Sequence, residues 1–145
     1  MDNLKIEIVW IDGLNQEDLM ITFRITAMSS KSSATQECDY TTDSIRLLGE
    51  SMVGHSYHFD EKLTFEIGVG IDSVPPMRVV LHKATLSGMV PLEVVFQLKD
   101  DIVGRYSSTV VVWAELGQLE CFGRRLASLP KRGVGATCEL NPESI

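Results

Sequence analysis

The amino-acid sequence predicts an α+β fold: a curved antiparallel sheet of six or seven strands, with one main C-terminal amphipathic helix packed on one face. Two observations predict it. Segments in which apolar and polar residues alternate follow one another through short turns, as strands joined by hairpins do. Strand-like and helix-like segments do not alternate regularly, which disfavours a parallel sheet. A β-sandwich with a lid helix is the alternative architecture.

The stretch from Thr109 to Pro130 changes its hydrophobic period once. Its first five residues read TVVVW, and β-branched and aromatic side chains favour a pleated strand over a helix. From residue 116 the apolar side chains recur on one arc of a helix, until Pro130 prevents its continuation. The pattern predicts a buried strand that runs into a helix at 116–129, and this helix docks on the sheet.

Seven segments show the alternation of a strand with one buried face. The first two flank the turn signal Asp12-Gly13 and should form an antiparallel hairpin. The predicted strands are residues 4–11, 19–27, 63–70, 77–83, 92–99 and 106–114, with 136–140 as a short edge strand.

Two other segments have their own signatures. Apolar residues recur at i, i+3 and i+7 in residues 41–53, which predicts a short helix, although Gly49 weakens it. Residues 29–36 begin with SSKSS and predict an exposed, flexible loop, because small polar side chains have little to bury. The tail at 141–145 should fray.

Composition describes a single domain over residues 1–145, since 44% of the residues are hydrophobic and 23% are charged. A net charge of −7 argues against a dedicated nucleic-acid binder and favours a cationic partner. No signal peptide is visible, and no apolar run reaches the about 18 residues of a membrane span, so we expect a cytoplasmic protein without a membrane partner. Three cysteines without a paired spacing should be reduced thiols, with Cys121 on the polar side of its helix.

The candidate metal ligands are His55, His58 and Asp60, because two imidazoles and a carboxylate within six residues could hold a divalent ion. Whether the three side chains can share one ion depends on the secondary structure that they adopt. On a helix the two histidines would share a face, whereas on a strand positions i and i+3 point to opposite sides. A surface or packing role is the favoured interpretation, and a metal site or a catalytic base is the alternative.

The candidate binding residues are the two indoles and three carboxylates near the polar loop. Tryptophans often anchor interfaces, although core packing is the favoured alternative for both. Carboxylates would suit a cationic partner. These residues are Trp10, Trp113, Glu37, Asp39 and Asp43.

Catalytic motifs are not assembled in the sequence. Residues 49–54 read GESMVG, which resembles a G-x-S-x-G nucleophile elbow, but the second glycine comes one position too late and no strand precedes it. We find no combination of nucleophile, base and oxyanion donor, so a binding role is favoured over an enzyme, and no cofactor is expected.

Residues 92–129 comprise a strand, an Asp-Asp turn, a second strand and the segment WAELGQLECFGRRLASL. This unit resembles the closing strand–helix unit of small bacterial proteins of unknown function and of immunity-type proteins that neutralise toxins. The resemblance implies a non-enzymatic acidic module that covers a basic site on a protein partner. The sequence-based expectation is therefore such a protein-binding module, with a homodimer also open and no nucleic-acid partner. A small metal- or ligand-binding domain or enzyme that uses the histidine cluster is the alternative.

Overall fold

The structure of the chain is a computed structural model that describes residues 2–12, 19–55, 57, 62–68 and 77–141. In these ranges it contains eight strands, two α-helices and one 3₁₀ turn. The strands are β1 (Asn3–Asp12), β2 (Met20–Met28), β3 (Ser33–Thr41), β4 (Leu63–Ile67), β5 (Met77–Leu81), β6 (Met89–Asp100), β7 (Gly104–Glu115) and β8 (Thr137–Glu139). The helices are α1 (Thr42–Gly54) and α2 (Leu116–Ser128), and the 3₁₀ turn spans Leu129–Arg132.

The strands form two four-stranded antiparallel sheets, which we call sheet A, in the order β3-β2-β1-β8, and sheet B, in the order β4-β5-β6-β7. The α+β class, the antiparallel pairing and the C-terminal helix are confirmed, but the prediction of one sheet with six or seven strands is wrong. The chain leaves β3 directly into α1, so β4 starts a new sheet instead of continuing the first. The last strand returns to pair with β1.

β3 crosses sheet B from one edge strand toward the other. Its first residues follow a turn beside β7, and halfway along it the Gln36 side chain donates to the carbonyl of Gln97 in β6 at 3.0 Å. Near its end the Tyr40 hydroxyl donates to the carbonyl of Glu66 in β4 at 3.2 Å. These two hydrogen bonds therefore link β3 of sheet A to β6 and β4 of sheet B.

The core lies where the inner faces of both sheets meet the apolar faces of the helices. Alternate residues of each strand point inward because successive side chains of a strand lie on opposite faces. Fully buried members include Ile8, Phe23, Ile25, Phe96, Val110, Val112, Phe122 and Leu126. On α2 the buried side is the predicted one, and Cys121 lies on the exposed side as expected.

The two helices cross at a pair of glycines, Gly49 in α1 and Gly123 in α2. A Cβ atom added to Gly49 would overlap the carbonyl oxygen of Gly123 and lie 2.6 Å from the backbone nitrogen of Ala127. One added to Gly123 would lie 2.8 Å from the carbonyl oxygen of Gly49. Gly49 is thus inside the predicted helix because the neighbouring backbone needs the space.

The segment that sequence analysis treated as a loop at 29–36 contains the start of a strand. The turn ends at Ser32, and β3 pairs with β2 along its whole length, from Ser33 opposite Met28 to Thr41 opposite Met20. Among the predicted strand ends, residues 69–70 lie outside the described residues, as do residues 142–145 of the tail. Neither helix of the described ranges is long and apolar enough to span a membrane.

Candidate binding cleft

β7 is an edge strand of sheet B with one face in the core and one face outward. Val110, Val112 and Ala114 are buried, whereas the odd-numbered residues around them face out. The outward stripe reads Arg105, Ser107, Thr109, Val111, Trp113. It therefore carries a cation at one end, two hydroxyls in the middle and an indole at the other end.

A side chain covers the outer edge of β7 beside Trp113. There the backbone N–H of Trp113 donates to Oδ2 of Asp2 at 3.0 Å, so this N–H faces away from β6. Backbone groups two residues apart in a strand face the same way. The N–H and C=O groups of Thr109 and Val111 therefore also face outward, and within the described residues they have no hydrogen-bond partner.

The turn between β2 and β3 lies beside this edge. The N–H of Ser29 donates to the carbonyl of Ser32 at 2.8 Å. The hydroxyl oxygen of Ser29 accepts from the N–H groups of Lys31 at 3.3 Å and Ser32 at 3.2 Å. Such side-chain bonds to the following backbone are how serine closes a tight turn. The turn therefore holds Lys31 at a defined place beside the edge of β7.

Between the turn, the N-terminal segment and β7 lies an open cleft of about 300 Å³. Trp113 is 44% exposed and Val111 is 42% exposed. The cleft joins an aromatic surface, hydroxyl groups, one cation and one carboxylate. Its lining consists of Asp2, Ser29, Ser30, Lys31, Ser32, Thr109, Val111 and Trp113.

Trp10 lies on the other sheet. The register of β1 against β2 shifts between Ile8 and Trp10, and this irregularity places Trp10 opposite Thr22 on the outer face of sheet A. Its side chain is 62% exposed. Core packing, which sequence analysis favoured for both tryptophans, is therefore wrong for Trp10 and for Trp113. The two indoles lie on different sheets and do not form one site.

The predicted acidic residues have partners within the fold. Glu37 and Asp39 lie two positions apart on β3, so they share the outer face of sheet A. A carboxylate oxygen of Glu37 is 3.6 Å from the guanidinium of Arg24, and Asp39 accepts from the hydroxyl of Thr22 at 2.6 Å. Asp43 lies elsewhere, in the first turn of α1, and pairs with an arginine one turn further along. The three carboxylates do not form one site.

Of the predicted metal ligands, only His55 lies within the described residues, and His58 and Asp60 fall outside them. His55 follows α1, where its backbone N–H donates to the carbonyl of Ser51 at 3.1 Å. Its ring meets that of Tyr57 edge to face, with centroids 4.7 Å apart. Across the described ranges, no group of three or more His, Cys, Asp or Glu side chains could hold a metal ion.

The basic residues near the C-terminus are used in the fold. Arg124 pairs with Glu120 one turn earlier on α2. Arg125 donates to the carbonyl of Glu139 at 2.8 Å, and Arg132 donates to another carbonyl of β8 at 3.1 Å. The guanidinium groups of Arg125 and Arg132 therefore tie the helical end to sheet A, and the β7 cleft is the better candidate for a ligand.

Comparison with known proteins places the chain near two solved structures. No family model matches the chain, and no curated protein matches its sequence. The structure of the plant transcriptional regulator PBF-2 aligns with a TM-score of 0.42 and 7% identity, over 88% of this chain and 76% of that one. The structure of WHY3 from Arabidopsis thaliana aligns with a TM-score of 0.43 and 10% identity, over 87% and 79%.

These neighbours correct the functional expectation. One of them is a transcriptional regulator, which does not fit an acidic protein-binding module, an immunity-like role or the lack of a nucleic-acid partner. Those expectations are withdrawn. The alternative built on the histidine cluster stays a prediction, since His58 and Asp60 lie outside the described residues. The resemblance of residues 92–129 to immunity-type proteins is not addressed by any comparison and stays a prediction. At TM-scores below 0.5 the likeness is partial, and the function must follow from the surface of this chain.

Sequence analysis named only part of the cleft. Trp113 was a predicted binding residue and residues 29–36 were a predicted exposed loop, but the two were not connected, and Asp2 was not among the candidates. The hydrogen bond between Asp2 and Trp113 joins residues 111 positions apart. The serine-rich composition around Lys31 was the only feature of the sequence that pointed to this part of the cleft. The proximity of the turn to β7 could not be predicted, because it depends on how the two sheets pack.

Proposed function

We propose that this chain binds single-stranded nucleic acid in the cleft along β7, with Trp113 as the surface on which a base stacks. The observation that carries the proposal is the half-exposed indole in a cleft that also contains a lysine and a hydroxyl-rich turn. Proteins that bind single strands combine aromatic stacking surfaces with cations that follow the backbone.

The cleft offers a partner for each part of a nucleotide. The flat face of a base can stack on the Trp113 indole, which is worth about 1–3 kcal/mol per base. The ammonium of Lys31 and the serine hydroxyls can contact a phosphate, as such groups do in nucleic-acid complexes. The outward N–H groups of Thr109 and Val111 add further donors on the same side.

The geometry favours a single strand over a duplex. A base that stacks on a side chain must first leave its own stack, which costs least in a single strand. Recognition in the major groove of duplex DNA needs a helix or a two-stranded ribbon that enters it. The cleft is bounded instead by a short turn and a strand edge, and at about 300 Å³ it lies at the small end of ligand pockets.

The same stripe leads away from the cleft to Arg105. Eight residues of extended strand separate Arg105 from Trp113, or about 26 Å. A single strand that lies along β7 would place a base on the indole and a later phosphate near this exposed guanidinium. Ser107 and Thr109 lie between them with hydroxyl groups on the outer face.

The net charge of −7 limits how much of the affinity can come from phosphates. With two cations on the path, Lys31 and Arg105, the slope of log K against log salt should be about −1.4, since single strands release about 0.7 counterion per neutralised phosphate. Stacking then supplies most of the binding. A protein that bound through a large basic surface would show a much steeper slope.

The test is the affinity for a dye-labelled single-stranded 12-mer of mixed sequence, measured by fluorescence anisotropy. Trp113→Ala should weaken binding about 5- to 150-fold, because it removes a stack worth about 1–3 kcal/mol. Trp10→Ala is the matched control, since it removes an exposed indole from the other sheet, and it should bind like the wild type. Equal affinities of Trp113→Ala and wild-type protein, or no binding at all, would refute the proposal.

A further inference from the structure

The cleft contains two side chains of opposite charge, and their arrangement bears on which base it accepts. This inference rests on the proposed function. Asp2 and Lys31 line the same cleft as Trp113. A nucleotide carries its negative charge on the phosphate and its hydrogen-bond donors on the base edge. Lys31 therefore attracts the phosphate, whereas Asp2 repels it and, in a DNA strand whose sugars lack the 2′-hydroxyl, can accept only from the base.

The carboxylate of Asp2 is fixed relative to the indole. Its Oδ2 accepts from the backbone N–H of Trp113 itself, at 3.0 Å. Within the described residues no hydrogen bond reaches Oδ1 of Asp2. Oδ2 is therefore held against the residue that carries the stacking ring and keeps a second lone pair, and Oδ1 is available at the same end of the cleft, so both oxygens can accept from a base.

We propose that Asp2 selects guanine as the base that stacks on Trp113. An ionised carboxylate only accepts hydrogen bonds. Guanine is the base whose Watson–Crick edge presents two neighbouring donors, the N1–H and the N2 amino group. Adenine and cytosine offer one amino donor beside a ring acceptor, and thymine offers one N3–H between two carbonyl oxygens. Acceptors placed against a carboxylate are repelled, so thymine should be the weakest ligand.

The experiment compares 12-mers that differ only in the bases placed between thymines: guanine, inosine, adenine or thymine alone. Isolated guanines avoid four-stranded structures. Wild-type protein should bind the guanine oligonucleotide about tenfold more tightly than the all-thymine one, as for a good bidentate contact to a base. Inosine keeps N1–H but lacks the N2 amino group, so its affinity should fall between the two.

Asp2→Asn is the decisive variant. The amide keeps one acceptor for the Trp113 N–H but loses the charge and the paired acceptor, so the preference for guanine should fall to about twofold or less. Affinity for the all-thymine strand should stay equal or rise, because a repulsive charge is removed. Melting temperature is measured alongside to show that Asp2→Asn is folded.

The outcomes separate this inference from the proposed function. If the protein binds none of the oligonucleotides, the function itself is refuted. If it binds them all and Trp113→Ala weakens every one, but guanine has no advantage or Asp2→Asn leaves that advantage unchanged, the function stands and the role of Asp2 is overturned.

Discussion

Replacement of Gly49 by alanine tests the helix crossing on which the packing of α1 and α2 depends. The added methyl group would overlap the carbonyl oxygen of Gly123 and lie 2.6 Å from the backbone nitrogen of Ala127. Both obstacles are backbone atoms, so no rotamer change relieves the overlap. Overpacking of this kind costs about 1–3 kcal/mol, and the better helix propensity of alanine returns at most about 1 kcal/mol.

Because both obstacles are backbone atoms, the overpacking cost should lie at its upper end of about 3 kcal/mol, so Gly49→Ala should lower the free energy of unfolding by about 2 kcal/mol. In a chain of this size that corresponds to a melting temperature about 6–8 °C lower. Gly123→Ala should cost less, because its shortest contact is 2.8 Å and one of its three close contacts, Cγ2 of Val53 at 3.1 Å, can move by a rotamer change. Urea denaturation monitored by circular dichroism gives the free energies, and thermal melts give the temperatures.

Gly117→Ala is the matched control, because this helical glycine has no atom within 4 Å of an added Cβ. It should be neutral or stabilising by up to about 1 kcal/mol. The predicted order of stability is Gly117→Ala, then Gly123→Ala, then Gly49→Ala. A Gly49→Ala protein that melts at or above the wild-type temperature would refute the close crossing of the two helices.

Three further predictions concern the core, the thiols and a turn. Leu126→Ala empties a fully buried site on α2 and should lower the free energy of unfolding by about 2–5 kcal/mol. A decrease below about 0.5 kcal/mol in urea denaturation would contradict its place in the core. Maleimide labelling of native protein should modify Cys121 alone, since burial raises the pKa of the Cys38 thiol to about 12 and that of Cys138 to about 11, and mass spectrometry should find three labels only after unfolding. Two backbone N–H groups of the following turn hold the pKa of Asp100 below its usual value. The Asp100 carboxylate therefore contributes to stability above the unfolded pKa of about 3.9, and this contribution is lost as pH falls through the folded pKa. Asp100→Ala should therefore be less stable than wild type at pH 7 and equally stable in strong acid, and a gap independent of pH would contradict this role.

Local patterns in the sequence were sufficient for most elements. The strand–helix unit at 109–129 was predicted because its β-branched run and its helical arc differ in period. The helix at 41–53 was found one residue from its position in the structure, where Thr41 caps it by accepting from the N–H of Ser44 at 3.1 Å.

β3 was missed because its side chains are polar on one face and small or polar on most of the other. Its inward positions are Ala34, Gln36, Cys38 and Tyr40, which lack the branched aliphatic residues that usually mark a strand. The alternation of buried and exposed positions was present, but the serine-rich start suggested a loop. Without this strand, the two sheets could not be separated.

The cleft was out of reach of local patterns because its parts meet only through tertiary packing. The outward stripe of β7 was readable as an alternation, but its position at an edge depends on which strands pair with it. Asp2 and the turn around Lys31 come to this edge from the other sheet. Sequence analysis also gave weight to the overall acidity, although a cleft is governed by the few charges that line it.

The measurement that tests the central claim most directly uses the tryptophans themselves. In a Trp10→Phe protein, Trp113 is the only indole, so the intrinsic emission reports on the cleft alone. Addition of a single-stranded 12-mer should quench this emission saturably, whereas the same sequence as a duplex should have little effect, because its bases are not free to stack. The Trp113→Phe protein, in which only Trp10 emits, should show no saturable change. Unchanged emission of Trp113 at saturating oligonucleotide, or equal quenching of both single-tryptophan proteins, would contradict binding in the β7 cleft.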